Sequence, residues 1–221
     1  IERACEGIRN ARHEIENYLI QDPFFGMSYE PVEVRSGPDI IKKMADAAQR
    51  ARVGPMAAVA GAIAFEGVRQ VQTSGASYCV VDNGGDICLI SDRPVRIGLY
   101  AGRSPLSGKY AFLLPPKKDM YGICTSSATV GHSFSFGTAD SVTVFSPDPI
   151  LADAMATAIC NTLALEDQSC LHWIDESIDG VFAVFGEKCI LWGTIPPLVE
   201  AQGHEELITA GGLGFIQRTP R

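Results

Sequence analysis

Residues 2–20 alternate charged side chains with apolar ones, and Ala4, Ile8, Ala11, Ile15 and Leu19 fall at helical spacing. That period predicts an amphipathic surface helix. Pro23, Gly26, Pro31, Gly37 and Pro38 interrupt the next stretch, which predicts a loop over 21–38. Asp39 stands where a capping residue would open a second helix running to about Arg52, since a short polar side chain satisfies the first unpaired amides. Residues 54–71 are of a different kind, with no charge between Met56 and Phe65 and many Ala and Gly. A helix without a solvated face is buried, and its small side chains let another backbone come close.

The period then falls to two. SYCVVD (77–82) and DICLIS (86–91) flank Asn83-Gly84-Gly85, a hairpin signal. Further strands are predicted over 94–101, 109–114, 121–126 and 141–146. Turns rather than helices separate them, which argues for an antiparallel sheet. Asp148 as cap and Pro149 as first helical residue open a helix to about Leu165. A short helix (167–176) and a hairpin (VFAVFG, KCILWG) follow, and residues 194–221, with Pro196-Pro197 and Gly211-Gly212-Leu213-Gly214, read as a tail or clamp. The expected organisation is one α+β domain over 1–193, whose helix–strands–helix–strands order allows two similar lobes, followed by the 194–221 tail.

Helix 149–165 has a single charged side chain, Asp153, on a face with Ala156, Thr157 and Cys160. Asp153 and Thr157 are four apart and so point the same way. A buried carboxylate must be paired, hydrogen-bonded or metal-bound. With a hydroxyl beside it, it suits a hard cation such as Mg2+; equally, it could cap a neighbouring loop or pair with an arginine. The segment 122–140 is rich in small hydroxyl residues. These could hold phosphate or ribose, or form a plain polar surface loop. His132 within it could act as a base or be a satisfied polar residue, and Cys124 has no adjacent base to activate it.

Composition removes other classes. A net charge of −8 without a basic cluster argues against nucleic acid and anionic membrane surfaces as partners. No apolar run reaches membrane-spanning length. Seven cysteines without a CxxC pair speak against zinc and redox dithiols, and fit buried, reduced thiols in a cytoplasmic protein.

VAGAIAF (59–65), DNGGDI (82–87), CTSSATVGHS (124–133) and SVTVFSPDPILADAMATA (141–158) occur in this order, and from about residue 53 to 193 the chain resembles the ApbE superfamily, most closely a short, uncharacterised branch of it. Such proteins move FMN from FAD onto a Thr or Ser of a target protein, or bind flavin. The resemblance implies a T-fold-like arrangement of antiparallel sheet with helices packed on one face, helices 56–71 and 149–165 forming a central buried pair. It implies Asp153 and Thr157 as Mg2+ ligands, with a backbone carbonyl near Val59 or Ala60. It places Asn83, Gly84, Gly85 and Asp86 near the flavin (FAD or FMN), with Thr125 and Ser126 in the bordering loop. Two departures stand out. The family's A-K-G-Y-A is here Val59-Ala60-Gly61-Ala62, and its H-I-I-D-P-x-T-G stretch is matched only loosely, by His132, the candidate catalytic residue. The expected function is flavin binding or Mg2+-dependent flavin transfer or FAD pyrophosphate cleavage. The alternatives are a cofactor- or metabolite-binding protein without chemistry, or an interaction module. The expected partners are a flavin or nucleotide-like small molecule and a second copy in a homodimer.

Overall fold

The structure, a computed structural model, describes residues 1–128 and 137–201. The first helix, α1 (Glu2–Gln21), buries Gly7, Ala11 and Ile15. The stretch expected as loop contains a short helix, α2 (Pro23–Met27), capped by the Asp22 carboxylate, which accepts from the Phe25 amide at 3.4 Å. Pro23 sits in the first turn, where it has no needed amide to lose, and Phe25 is fully buried. In α3 (Asp39–Ala51) the cap position belongs to Pro38, and Asp39 lies inside the first turn. Its charge favours the helix N-terminus without a capping bond. The expected 54–71 helix is divided into a 3-10 turn, Pro55–Ala58, and α4 (Val59–Gln72).

The strands are β1 (Cys79–Asn83), β2 (Asp86–Ser91), β3 (Val95–Gly98), β4 (Tyr110–Leu114), β5 (Lys117–Ser126), β6 (Ser141–Ser146), β7 (Gly180–Phe185), β8 (Lys188–Gly193) and β9 (Leu198–Glu200). Six form one sheet in the order β1-β2-β5-β6-β7-β8, and three form a second, β3-β4-β9. Every pairing is antiparallel. Helix α5 (Pro149–Thr162) packs on β5 and β6 beside α4, which packs on β1 and β2. The expected α+β arrangement, with two central helices on one antiparallel face, is what the chain forms.

The other face of the large sheet is buried too. Ile87, Leu89, Ile123, Phe145 and Phe182 meet Val95, Leu99, Phe112 and Leu114 from the small sheet and its flanks. Phe112 stands edge-on to Phe145 and Phe182, at ring-centre distances of 4.9 and 5.5 Å. This double covering explains why β2 and β6 are buried at almost every position, as a strand with no wet face must be. At the start of the expected tail, Leu198–Glu200 pairs with β4. No single helix among the described residues is long and apolar enough to cross a membrane.

Three devices seat α5. Asp148 caps it, accepting from the Ile150 and Leu151 amides at 3.1 and 3.2 Å. Arg50 of α3 forks onto Asp175 at 2.9 and 2.7 Å, reaches Ser177 at 2.8 Å and lies 3.6 Å from Asp148. Gly122 of β5 lets the helix start rest directly on the strand, since a β-carbon there would stand 2.5 Å from the Pro149 α-carbon. Gly122→Ala is therefore expected to cost about 1–3 kcal/mol, roughly 2–10 °C in Tm for a chain of this length. Thermal unfolding followed by circular dichroism measures it, and an unchanged Tm would contradict this seating.

Candidate functional site

Asp153 lies on α5 where that helix crosses the start of α4. The crossing is close because Gly61 has no side chain: a β-carbon there would lie 2.6 Å from the Pro149 carbonyl oxygen and 2.8 Å from the Asp153 β-carbon. The cap residue of α4, Ala58, offers no side-chain acceptor. The Asp153 carboxylate takes that role from the neighbouring helix, Oδ2 accepting from the Gly61 amide at 2.7 Å. Of the readings open for a buried acid, capping is realised on a helix rather than a loop, and no arginine among the described residues is involved. A helix N-terminus favours a carboxylate. Even so, the Asp153 pKa is pushed up to about 7, because loss of water outweighs the amides of Gly61 and Ala60.

The second acid comes from the β1–β2 hairpin. Gly84 and Gly85 have φ of 74° and 108°, the doubly positive pattern of a tight type I′ turn. Asp82 Oδ1 accepts from the Gly85 amide at 2.9 Å, and the Asn83 side-chain amide donates to the Ala60 carbonyl at 3.2 Å. Asp86 is paired with Cys124 across the ladder and accepts from the Thr125 amide at 3.2 Å. It shares the helix-facing side of the strand with Cys88 and Ile90. Its carboxyl is held well above the usual range, first by burial and then by the charge of Asp153. A buried acid, Asp153, and a half-buried one, Asp86, thus meet at one junction, and among the described residues neither has a lysine or arginine partner.

Thr157 lies one turn beyond Asp153, half-buried, and its hydroxyl makes no hydrogen bond among the described residues. Thr125 is separated from the acids. Strand alternation turns its hydroxyl to the opposite face, onto Thr143 at 2.9 Å, and only its amide meets Asp86. Ser126, half-buried, follows on the Cys124 side. Cys124 is fully buried with its sulfur 3.5 Å from the Pro149 carbonyl oxygen, and its thiol is pushed far up, first by burial and then by Asp86 and Asp153. That is an inert thiol. His132 lies outside the described residues.

Two acids crowded without a counter-cation are settled by a proton or by a metal. The side-chain oxygens on offer here are those of Asp153, Asp86 and Thr157; the Ala60 carbonyl, inside α4, already accepts from the amide four residues on and from the Asn83 side chain. No group of three or more His, Cys, Asp or Glu side chains that could hold a metal ion occurs among the described residues. The residues therefore fit a hard cation that keeps water or ligand oxygens, as Mg2+ does, and not zinc or another thiophilic metal.

The family model described as "AbpE bacteria" matches residues 2–174. A UPF0280 protein of Methanospirillum hungatei is 68% identical over 219 residues, spanning 99% of this chain and 90% of that protein. The UPF0280 protein of Methanosphaerula palustris is 53% identical over 214 residues, spanning 96% and 90%. That of Methanocaldococcus jannaschii is 45% identical over 221 residues, spanning 96% and 88%. Among solved structures, the apo flavinyl transferase ApbE of Pseudomonas stutzeri has a TM-score of 0.46 at 18% identity, over 73% of this chain and 52% of that one. A variant of the flavin transferase ApbE from Vibrio cholerae has a TM-score of 0.47 at 18% identity, over 74% and 53%. The chain thus spans about half the length of each of these two transferases.

The acid junction has a pH signature. A carboxyl raised from 3.8 to about 7 contributes stability that is complete below its unfolded pKa and is lost as pH climbs through 7. Metal-free protein is expected to weaken between about pH 4 and 7. Asp153→Asn, which can still accept from the Gly61 amide, should be more stable than the parent at pH 8 by about 1–3 kcal/mol and have a flatter pH profile. Urea unfolding at pH 5 and pH 8 in EDTA reads both. A variant that keeps the parent's slope, or loses stability at pH 8, contradicts the buried acid.

Proposed function

The chain belongs to the AbpE bacteria family, with the UPF0280 proteins as its relatives, and from that premise we propose that it binds a flavin nucleotide, FAD or FMN, phosphate end toward the Asp86–Asp153 junction. The observation that carries this reading is a buried acid, Asp153, beside a half-buried one, Asp86, without a basic partner among the described residues, placed where the start of α4, the β1–β2 turn and α5 converge. Asp153 and Thr157 would hold Mg2+, with Asp86 beside them. The ion, when bound, supplies positive charge to a diphosphate that would otherwise be repelled here.

The chain's own residues do the remaining work. The Gly61 and Ala60 amides orient Asp153. Asn83 ties the hairpin to α4. Nothing lies within 4 Å of where a Gly84 β-carbon would stand, so the turn leaves room for a ligand to approach the backbone. Ser126 borders the junction, and Thr125 contributes through its amide. His132 is the candidate proton carrier for an acceptor hydroxyl.

A second reading, binding without turnover, is favoured by one observation. The start of α4 reads Val59-Ala60-Gly61-Ala62 and brings no cationic side chain to the junction.

Titration of FAD fluorescence with and without Mg2+ tests the shared claim. Affinity is expected to fall at least tenfold in EDTA or in Asp153→Ala, and several-fold in Thr157→Val. Chromatography for AMP and FMN then separates the two readings. Release of AMP that is slowed in His132→Ala, with FAD affinity kept, supports transfer or cleavage, whereas quenching without products supports a carrier. A protein that neither quenches FAD nor releases AMP or FMN has neither function.

A further inference from the structure

The edge of a sheet presents backbone amides and carbonyls that a further strand can pair. The two sheets have four edge strands, β1 and β8 in the large sheet and β3 and β9 in the small one. Three are guarded. Asp82 lies within β1, Arg96 lies within β3, and β9 has three residues and ends on Glu200. Charge along an edge, or a very short edge strand, opposes pairing with another chain. β8 has no such guard. After Lys188 at its start it reads Cys189-Ile190-Leu191-Trp192-Gly193, without a charge, and Leu191 is 57% exposed.

One bond fixes the direction of the free backbone groups. The Thr194 amide donates to the Asp179 carbonyl at 2.7 Å, in register with the pairs that run from Gly180 with Gly193 to Phe185 with Lys188. Opposed residues in an antiparallel pair alternate between exchanging both hydrogen bonds and exchanging none. Residues 188, 190 and 192 therefore turn their amides and carbonyls to β7, and those of Cys189, Leu191 and Gly193 point away from it. Among the described residues no strand takes them up. The side chains divide between the faces. Ile190 is buried and Trp192 half-buried on the helix-covered face, whereas Cys189 and Leu191 stand exposed on the other.

We propose that β8 is the docking edge for a second copy of this chain, added antiparallel about a twofold axis at Leu191, so that the two six-stranded sheets continue as one. The occupant is a second copy because β8 is complementary to itself. A twofold axis perpendicular to the sheet sets residues of the same face opposite each other. Centred at Leu191, it brings the two exposed leucines together, Ile190 against Trp192 of the copy and Cys189 against Gly193 of the copy. Lys188, the one charge, then lies opposite Thr194 of the copy. The two lysines end about 20 Å apart, six residues along strands that rise ~3.4 Å per residue, where salt screens them. Each of the other three edges would instead set a charge against the apolar row of β8. The proposal is independent of the flavin reading.

Sedimentation equilibrium of the full chain measures the association. An edge of six residues is a small interface, so a weak dimer is expected, with a dissociation constant in the micromolar range. Leu191→Pro deletes one outward amide and no bond to β7, and should weaken the dimer at least tenfold. Leu191→Lys supplies the missing edge charge with the same expected loss, and it replaces the proline variant if that one does not melt cooperatively. Hydrogen exchange at the Cys189 and Leu191 amides should slow as the parent's concentration rises, and should not do so in Leu191→Lys. A parent that stays monomeric up to ~1 mM, the weak end of specific association, overturns the proposal. So does a dimer that survives both substitutions. Slow exchange at these amides that does not change with concentration, as a segment of the same chain lying on the edge would give, also overturns it.

Discussion

The hydrogen bond from the Gly61 amide to Asp153 organises the centre of this protein. It joins the two helices that cover the large sheet, and it forms only because Gly61 lets the helices touch. A helix start left bare would carry unpaired amides in a dry place. An acid placed there without those amides would be costlier still. Each helix thus supplies what the other lacks. The hairpin joins the same contact through Asn83 and the Ala60 carbonyl, so three elements distant in sequence are fixed by two polar bonds.

That arrangement is not the most stable one available. A second carboxyl, Asp86, shares the junction, and each acid raises the cost of ionising the other. A fold selected for stability alone would place an amide or an aliphatic residue at one of these positions. Keeping two acids is the kind of local sacrifice that the proposed binding role would explain, and the surroundings are stiff enough to sustain it. Aromatic packing beneath the sheet, the Asp148 cap and the Arg50 fork hold β5, β6 and α5 in place.

Much of this was legible along the chain because it is local. The hydrophobic period located α1, and β2 and β6 were bounded to the residue. The absence of charge foretold the burial of α4 and α5, and the four-residue spacing of Asp153 and Thr157 set them on one face. What escaped depends on tertiary context. Pro23 reads as a breaker unless Asp22 is seen capping the turn it begins. Asp39 reads as a cap until Pro38 takes that position. The meeting of Asp86 with Asp153 requires the register that sets Asp86 against Cys124 and the glycine that lets α5 rest on β5, and neither is visible in a window of neighbouring residues. Thr125 and Ser126, adjacent in sequence, are sent to opposite faces by strand alternation.

The distribution of thiols has its own consequence. Among the seven free cysteines only Cys5 and Cys189 are exposed. Cys5 is on α1, which packs on α4 above the β1 side of the sheet, and Cys189 is on β8, at the opposite edge. Five inter-strand steps of about 4.8 Å separate those edges, far beyond the roughly 7 Å between α-carbons that a disulfide can bridge. An oxidant acting on these two exposed sulfurs would therefore find no loop to close between them, and pairing them would couple one molecule to another.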